Sequence, residues 1–439
     1  MSHPALLMLK VWAVFGMMYA VLPFQLVDRS LTLHGFVVLF LFIGAFCIGT
    51  LTIQPAVRRR AAGAVEHLDL SRSETALAVA GVVTIIAFLI DLRDKSVLDL
   101  ALAYELRSDQ AAALLDGEAS NSTLAFQIGF LTYPAGYVYL VRAIVFERRP
   151  LLWRLAAFGF LPILMATLAM GGRAPLLYVI LIAFLSMSAR RIYRSRQDGA
   201  QGKARRARLG PIKVIGIVAI IAGALYYFVA VFAARAEVVG GASGMFKVAE
   251  EIWGIAFRGP MADAMFQLIG QEWTYLVFIF NWYVVQGLVM SNFLFAGYPG
   301  PAQFGVYGVD LVSALVRRID GALVARYFDA LQQLGTYGFL PSAWGSLYVD
   351  LWYFGLAASA AWGALAAWVY QNIRRARDSR WLAIAPFVTM GILFSFINTP
   401  IGFSNGLVTH IWVVVAFVVA RPRRARHPHR ASPLTQGQR

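Results

Sequence analysis

Apolar runs long enough to cross a lipid bilayer recur along the whole of this chain. No other feature restricts its fold as much, because a hydrocarbon core of about 30 Å calls for roughly 20 apolar residues per helix. With 59% hydrophobic and only 14% charged residues over 439 positions, and a mean hydropathy of +0.64, the chain reads as an all-α polytopic membrane protein. A soluble enzyme with one anchor would not have that balance. Lys10 to Val27 has no small-residue cleavage site and reads as part of the first span, not as a signal peptide.

Basic clusters orient the spans. Arg58 to Arg60, Arg148 and Arg149, the eight lysines and arginines from Arg190 to Arg208, Arg374 to Arg380, and Arg421 to Arg430 each follow an apolar run. If all are cytoplasmic, as the positive-inside rule predicts, about ten spans result with both termini inside. They fall near 6–27, 31–53, 75–92, 124–146, 151–170, 174–190, 212–233, 343–369, 382–398 and 404–420. Most of the 39 lysines and arginines then lie inside and most of the 23 acids outside. Topology thus accounts for the net charge of +16, and nucleic-acid binding is not implied.

Residues 1–420 form a single integral membrane domain on this reading, and 421–439 a disordered basic cytoplasmic tail. The basic cytoplasmic loop is 190–211, and the outer loops are 93–123 and 234–342. Within the larger outer loop, 273–296 is apolar, yet no returning span is visible before Ser342. It is expected to lie in the interface or to dip in and return, with Trp273, Tyr275, Trp282 and Tyr283 at headgroup level. An added pair of spans is the alternative.

Much chemistry is excluded by what is missing. Cys47 is the one cysteine, so neither a disulfide framework nor a cysteine metal site is available. The six histidines form no zinc pattern, and no phosphate-binding glycine loop occurs. No metal, nucleotide or other cofactor is expected.

What remains is carried by arginines on the outer face. Arg173 follows Gly171 and Gly172 at the mouth of a span, Arg235 follows the seventh span, and Arg258 precedes Gly259. Guanidinium forks match phosphate oxygens bidentately and stay charged, which suits a diphosphate at a membrane surface. Snorkelling, or pairing with Glu237, Glu250 or Glu251, is the plainer alternative for each. A second constellation, Thr336 to Gly355, leads into the eighth span and places Tyr348 and Asp350 on a helix that should be dry. Asp350 is therefore expected to neutralise an arginine or face a wet cavity. His410, about two turns into the last span, and His34 could serve as bases or as hydrogen-bonded structural histidines.

In this order, the elements resemble the Wzy-type oligosaccharide repeat unit (O-antigen) polymerases. The similarity is carried first by Gly171-Gly-Arg173 opening a span before a long basic loop, and by Arg258-Gly259 early in the large outer loop. The aromatic stretch Tyr283 to Phe304, ending near Gly305-Val-Tyr-Gly308, adds to it, as does Gly345-Ser-Leu-Tyr-Val-Asp350 followed by Phe354-Gly355. Leu351-Trp352-Tyr353 stretches that last element, so Gly355 comes later than in the family's pattern. The resemblance covers about 150–405.

It implies a metal-independent glycosyltransferase of the bacterial cytoplasmic membrane, without a cofactor, whose active site faces the periplasm or exterior. The donor would be a glycan on a polyprenyl diphosphate, and the acceptor the terminal hydroxyl of another lipid-linked oligosaccharide. Membrane lipid and a chain-length regulator are the implied partners. Arg173 and Arg258 would stabilise the diphosphate leaving group. Arg235, Thr336, Tyr348 and Tyr283 would join in binding diphosphate or sugar. Asp350, Glu250, Glu251 or His410 would take the acceptor's proton. The alternatives are a ligase moving finished glycan to a lipid core and, in a different class, a transporter or flippase of lipid-linked glycans. A transporter would favour an internal repeat and broken helices near mid-membrane; no repeat is visible.

Overall fold

The computed structural model describes residues 2–27, 29–53, 67–93, 123–170, 172, 174–197, 222–223, 226, 229–234, 236–375 and 378–423. The expected outer loop over 94–122, most of the basic loop before 212 and the tail from 424 lie outside the described residues. The protein is an all-α multi-pass membrane protein. Among the described residues eight helices are long and apolar enough to cross a bilayer, or nine if the bent pair Val229–Val238 and Gly241–Glu251 forms one span.

Two helices open the chain, α1 (Pro4–Val21) and α2 (Leu33–Thr52), followed by α3 (Ser71–Leu92), α4 (Leu124–Thr132) and α5 (Pro134–Phe146). Next come α6 (Leu152–Met170) and α7 (Ala174–Gln197). The large loop holds α8 (Gly241–Glu251), α9 (Pro260–Gly297), α10 (Asp310–Ile319) and α11 (Gly321–Gln333). The last four are α12 (Ser342–Leu351), α13 (Gly355–Arg375), α14 (Trp381–Leu393) and α15 (Gly406–Val419). Threonines start two of the apolar helices: Thr32 Oγ1 accepts from the Gly35 N–H at 3.0 Å, and Thr123 Oγ1 from the Phe126 N–H at 3.0 Å. Each satisfies an amide that the helix itself leaves unmet.

Two short antiparallel ribbons tie the ends of the bundle. β1 (Phe24–Leu26) pairs with β3 (Ile255–Phe257), Phe24 facing Phe257. β2 (His67–Asp69) pairs with β4 (Arg421–Arg423). Each ribbon joins links that the basic clusters assign to one and the same side.

The tightest helix contact is between α2 and α13. Ser359 Oγ donates to Phe42 O at 2.8 Å. A Cβ on Gly363 would collide with Phe46 O, and one on Gly49 with Ala360 O. Gly355, Ser359 and Gly363 recur every fourth residue, so one face of α13 lets the backbones touch, as small residues do in lipid-embedded pairs. Trp344, fully buried, closes this half of the core against Trp12, Phe42, Phe46 and Trp362. A second apolar cluster joins α3, α5, α6 and α7 to α14 and α15.

Helix α9 kinks at Gly270 (φ 76°) and then runs unbroken to Gly297. It meets the test for a span by length and composition. Near its end Asn292 grips the start of α2, accepting from the Thr32 N–H and donating to Thr32 O, both at 2.9 Å. Only five residues of helix follow, about 8 Å, against about 30 Å for the length of α2. The flanks return to the same link between α1 and α2: β3 pairs with β1, and Leu334 O accepts from Arg29 at 2.6 Å. Elements on both flanks of 273–296 thus meet the link between α1 and α2. Of the aromatics expected at headgroup level, Tyr275 and Trp282 are buried, Tyr283 is half-buried and Trp273 is exposed.

Candidate functional site

Helix interruptions gather in one region. Pro134 lacks the N–H that would continue α4 into α5. Trp352 separates α12 from α13, residues 394–405 separate α14 from α15, and residues 298–309 follow α9. Polar side chains stitch these breaks together. Asn398 Nδ2 donates to Gly308 O at 3.4 Å, Asn405 Nδ2 to Phe130 O at 2.6 Å, and Tyr133 OH to Ser404 O at 3.1 Å. Tyr137 OH donates to Pro175 O and lies 3.3 Å from Ser404 Oγ. That contact brings the start of α7, two residues past Arg173, to the same cluster.

The backbone here is strained. Among the described residues, five non-glycine residues have left-handed φ: Phe304 (50°), Ser342 (64°), Trp352 (52°), Ser404 (49°) and Asn405 (58°). All sit within or beside these interruptions. Such a conformation costs about 1–3 kcal/mol and persists where the surroundings over-determine it; for aromatic side chains it is an outlier.

Asp350 organises one side of the cluster. It is 6% exposed. Its Oδ1 accepts from the Tyr307 N–H at 3.1 Å and its Oδ2 from the Gly308 N–H at 2.9 Å. The backbone continues the clamp: the Gln303 N–H donates to Val349 O at 3.1 Å and the Phe304 N–H to Asp350 O at 2.9 Å. The expectation that Asp350 neutralises an arginine or faces a wet cavity is met differently. Two backbone amides take the place of a cation, and no ion pair of Asp350 occurs among the described residues. Gly308 is needed for this approach, because a Cβ there would strike Oδ2. Burial pushes the Tyr307 hydroxyl pKa upward, helped by the Asp350 charge, and burial pushes that of Tyr298 up to about 12. Both phenols therefore stay protonated donors at neutral pH.

His410 lies one turn beyond the 394–405 break, half-buried, with Nδ1 2.7 Å from Gly406 O. A carbonyl can only accept, so Nδ1 carries the proton and Nε2 keeps its lone pair. That tautomer suits a proton acceptor.

The other expected residues fall elsewhere. Arg258 and Glu250 form an exposed ion pair with each other, where α8 and the turn after β3 meet. Thr336 is buried and donates to Leu331 O at 3.2 Å, finishing α11. The Tyr348 ring packs edge-on against Phe295 and beside Trp352. The Tyr283 ring meets Phe232 at 5.5 Å. Arg173 and Arg235 lie outside the described residues.

The asparagine breaks were not foreseen. Asn398-Thr-Pro and Gly402-Phe-Ser-Asn-Gly406 read as an ordinary link between two spans. Their signal was a pair of apolar runs each too short to cross alone. No protein-family model, no curated protein and no solved structure matches the chain.

Proposed function

We propose that this protein is a membrane glycosyltransferase that polymerises oligosaccharide repeat units carried on a polyprenyl diphosphate. The observation that supports it most is the strained polar cluster of helix interruptions, with the start of α7 beside it. The resemblance of the Gly171-Gly-Arg173 and Gly345 to Asp350 elements supplies the reaction class.

In this reading the bundle has about ten spans with both termini cytoplasmic, and the cluster opens outward. The terminal hydroxyl of one lipid-linked unit attacks the anomeric carbon of another. The bond between that carbon and the phosphate oxygen breaks, and the lipid diphosphate leaves. Arg173 stabilises the charge developing on the diphosphate. His410 Nε2 takes the hydroxyl proton. Asp350, in this reading, is a positioning residue that holds 303–308 by accepting from the Tyr307 and Gly308 amides. Phe304, 76% exposed on that turn, offers a face for a sugar ring. In this reading Arg258 and Glu250, which pair with each other at the surface, take no part in the reacting centre.

A second reading, a transporter of lipid-linked glycans, gains from the same interruptions, since broken helices mark many transport sites. Deletion of the gene separates these readings on a gel of surface polysaccharide. A polymerase leaves single repeat units on the acceptor. A ligase leaves none there and accumulates long lipid-linked chains. Loss of all outward-facing lipid-linked glycan supports the transporter.

A further inference from the structure

Helix α10 leaves an apolar face uncovered. Leu311, Leu315 and Ile319 recur every fourth residue and so share one side of it. Val312 and Val316, on the adjoining side, pack against the core. Leu315 is 53% exposed and Ile319 86%. The opposite side is polar, with Asp310, Ser313 and Arg317. Arg318, three residues on from Leu315, borders the stripe. It is exposed and forms no ion pair among the described residues. Asp320, close to it in sequence, is engaged elsewhere: it caps α11, accepting from the Leu323 N–H at 2.9 Å. With ten residues, about 15 Å, α10 is too short to cross a bilayer.

Both ends of the α10–α11 pair are fastened to the bundle beside open apolar surface. The turn entering α10 is held where the Phe304 N–H donates to Asp350 O at 2.9 Å. Next to it is the break between α12 and α13, whose Phe354 is 84% exposed. The end of α11 is held where Arg29 donates to Leu334 O, at the link leading into α2, whose Leu33 and Val37 are exposed. In a multi-pass membrane protein, lipid covers such side chains on the spans. Helix α10 lies within its own length of them. Water would leave Leu315 and Ile319 uncovered. A two-fold contact with a second copy through this narrow face would bring two Arg318 guanidiniums together, with no carboxylate on the stripe between them. A phospholipid surface answers both features: acyl chains cover the stripe, while Arg318 lays its stem along it and reaches lipid phosphate with its guanidinium.

We propose that α10 is an interfacial helix. It rests on the bilayer surface at the end of the bundle where α2 begins, with Leu315 and Ile319 among the acyl chains and Arg318 on phospholipid phosphate. This contact is independent of the reaction proposed above, and it ties the turn 298–309 to the membrane.

Nitroxide accessibility in vesicles of phosphatidylethanolamine and phosphatidylglycerol tests this. The full chain carries Cys47→Ala, so that one label at a time reports from Ala314→Cys, Leu315→Cys or Ile319→Cys. Each is an exposed position, and each variant is checked for unchanged helical circular dichroism. Oxygen concentrates among acyl chains, whereas a nickel chelate stays in water. The ratio of oxygen to nickel collision rates should be several times higher at 315 and 319 than at 314, which lies towards the polar side. Arg318→Glu sets a carboxylate at the level of the phosphates and should lower the ratio at 319 about threefold. Equal ratios at the three positions would place α10 in water, and low collision rates with both reagents would place another protein surface over it; either result overturns the assignment. An unchanged ratio in Arg318→Glu would overturn the phosphate contact.

Discussion

The α2–α13 seam and the cluster of helix interruptions lie in one bundle and obey opposite rules. Along the seam, Gly49 and Gly363 carry no side chain and Ser359 a small one that donates to Phe42 O, so that two regular helices touch backbone to backbone. Around 298–309, 352–354 and 394–405, helices stop short, φ turns left-handed at aromatic and polar residues, and Asp350, Asn398, Asn405 and Tyr133 hold the loose ends. The seam is what packing alone selects. The cluster carries strain that packing does not explain, and such strain persists where geometry serves function.

This contrast can be broken by substitution. The largest effect is expected at the seam. Gly363→Leu must push α13 off α2, and the melting transition in detergent should fall by at least the several degrees that about 1–3 kcal/mol of overpacking produces. A normal transition would mean the seam is not the structural half. In the cluster, activity should fall while the fold survives. His410→Gln keeps a polar side chain but no titratable base and should lower polymerisation about a hundredfold, with the melting transition within a few degrees of the parent. Phe304→Gly relaxes a left-handed aromatic, so the protein should melt no lower than the parent while the apparent KM for acceptor rises. A fall in stability with unchanged KM would assign Phe304 to packing. Smallest is Arg258→Ala, which removes an exposed ion pair worth about 0–1 kcal/mol and should change neither stability nor rate more than a few-fold. A loss of a hundredfold there would return Arg258 to the reacting centre.

Most of the long apolar helices were legible because hydropathy reports on them directly. The helix ends fall within a few residues of expectation for α2, α6 and α15. The interruptions were legible only in fragments. The extra residues Leu351-Trp-Tyr353 in the Gly345 to Gly355 element turn out to be the break itself, with Trp352 left-handed. Side-chain pairing was out of reach: nothing in the spacing of Arg258 and Glu250, or of Arg142 and Glu74, announces that they meet. The clamp on Asp350 comes from backbone amides, which carry no residue signature at all.

The central claim is that the cluster joins lipid-linked repeat units with Arg173 at the diphosphate. Reconstituting the purified full chain in liposomes with a lipid-diphosphate-linked repeat unit tests it most directly, the products being resolved by length. The parent protein should convert single units into a ladder of repeat multiples still on lipid diphosphate and release free lipid diphosphate. Arg173→Lys, inserted to the same level, should produce no ladder. A ladder of full length in Arg173→Lys, or movement of the unit across the bilayer by the parent protein with no ladder, would contradict the account.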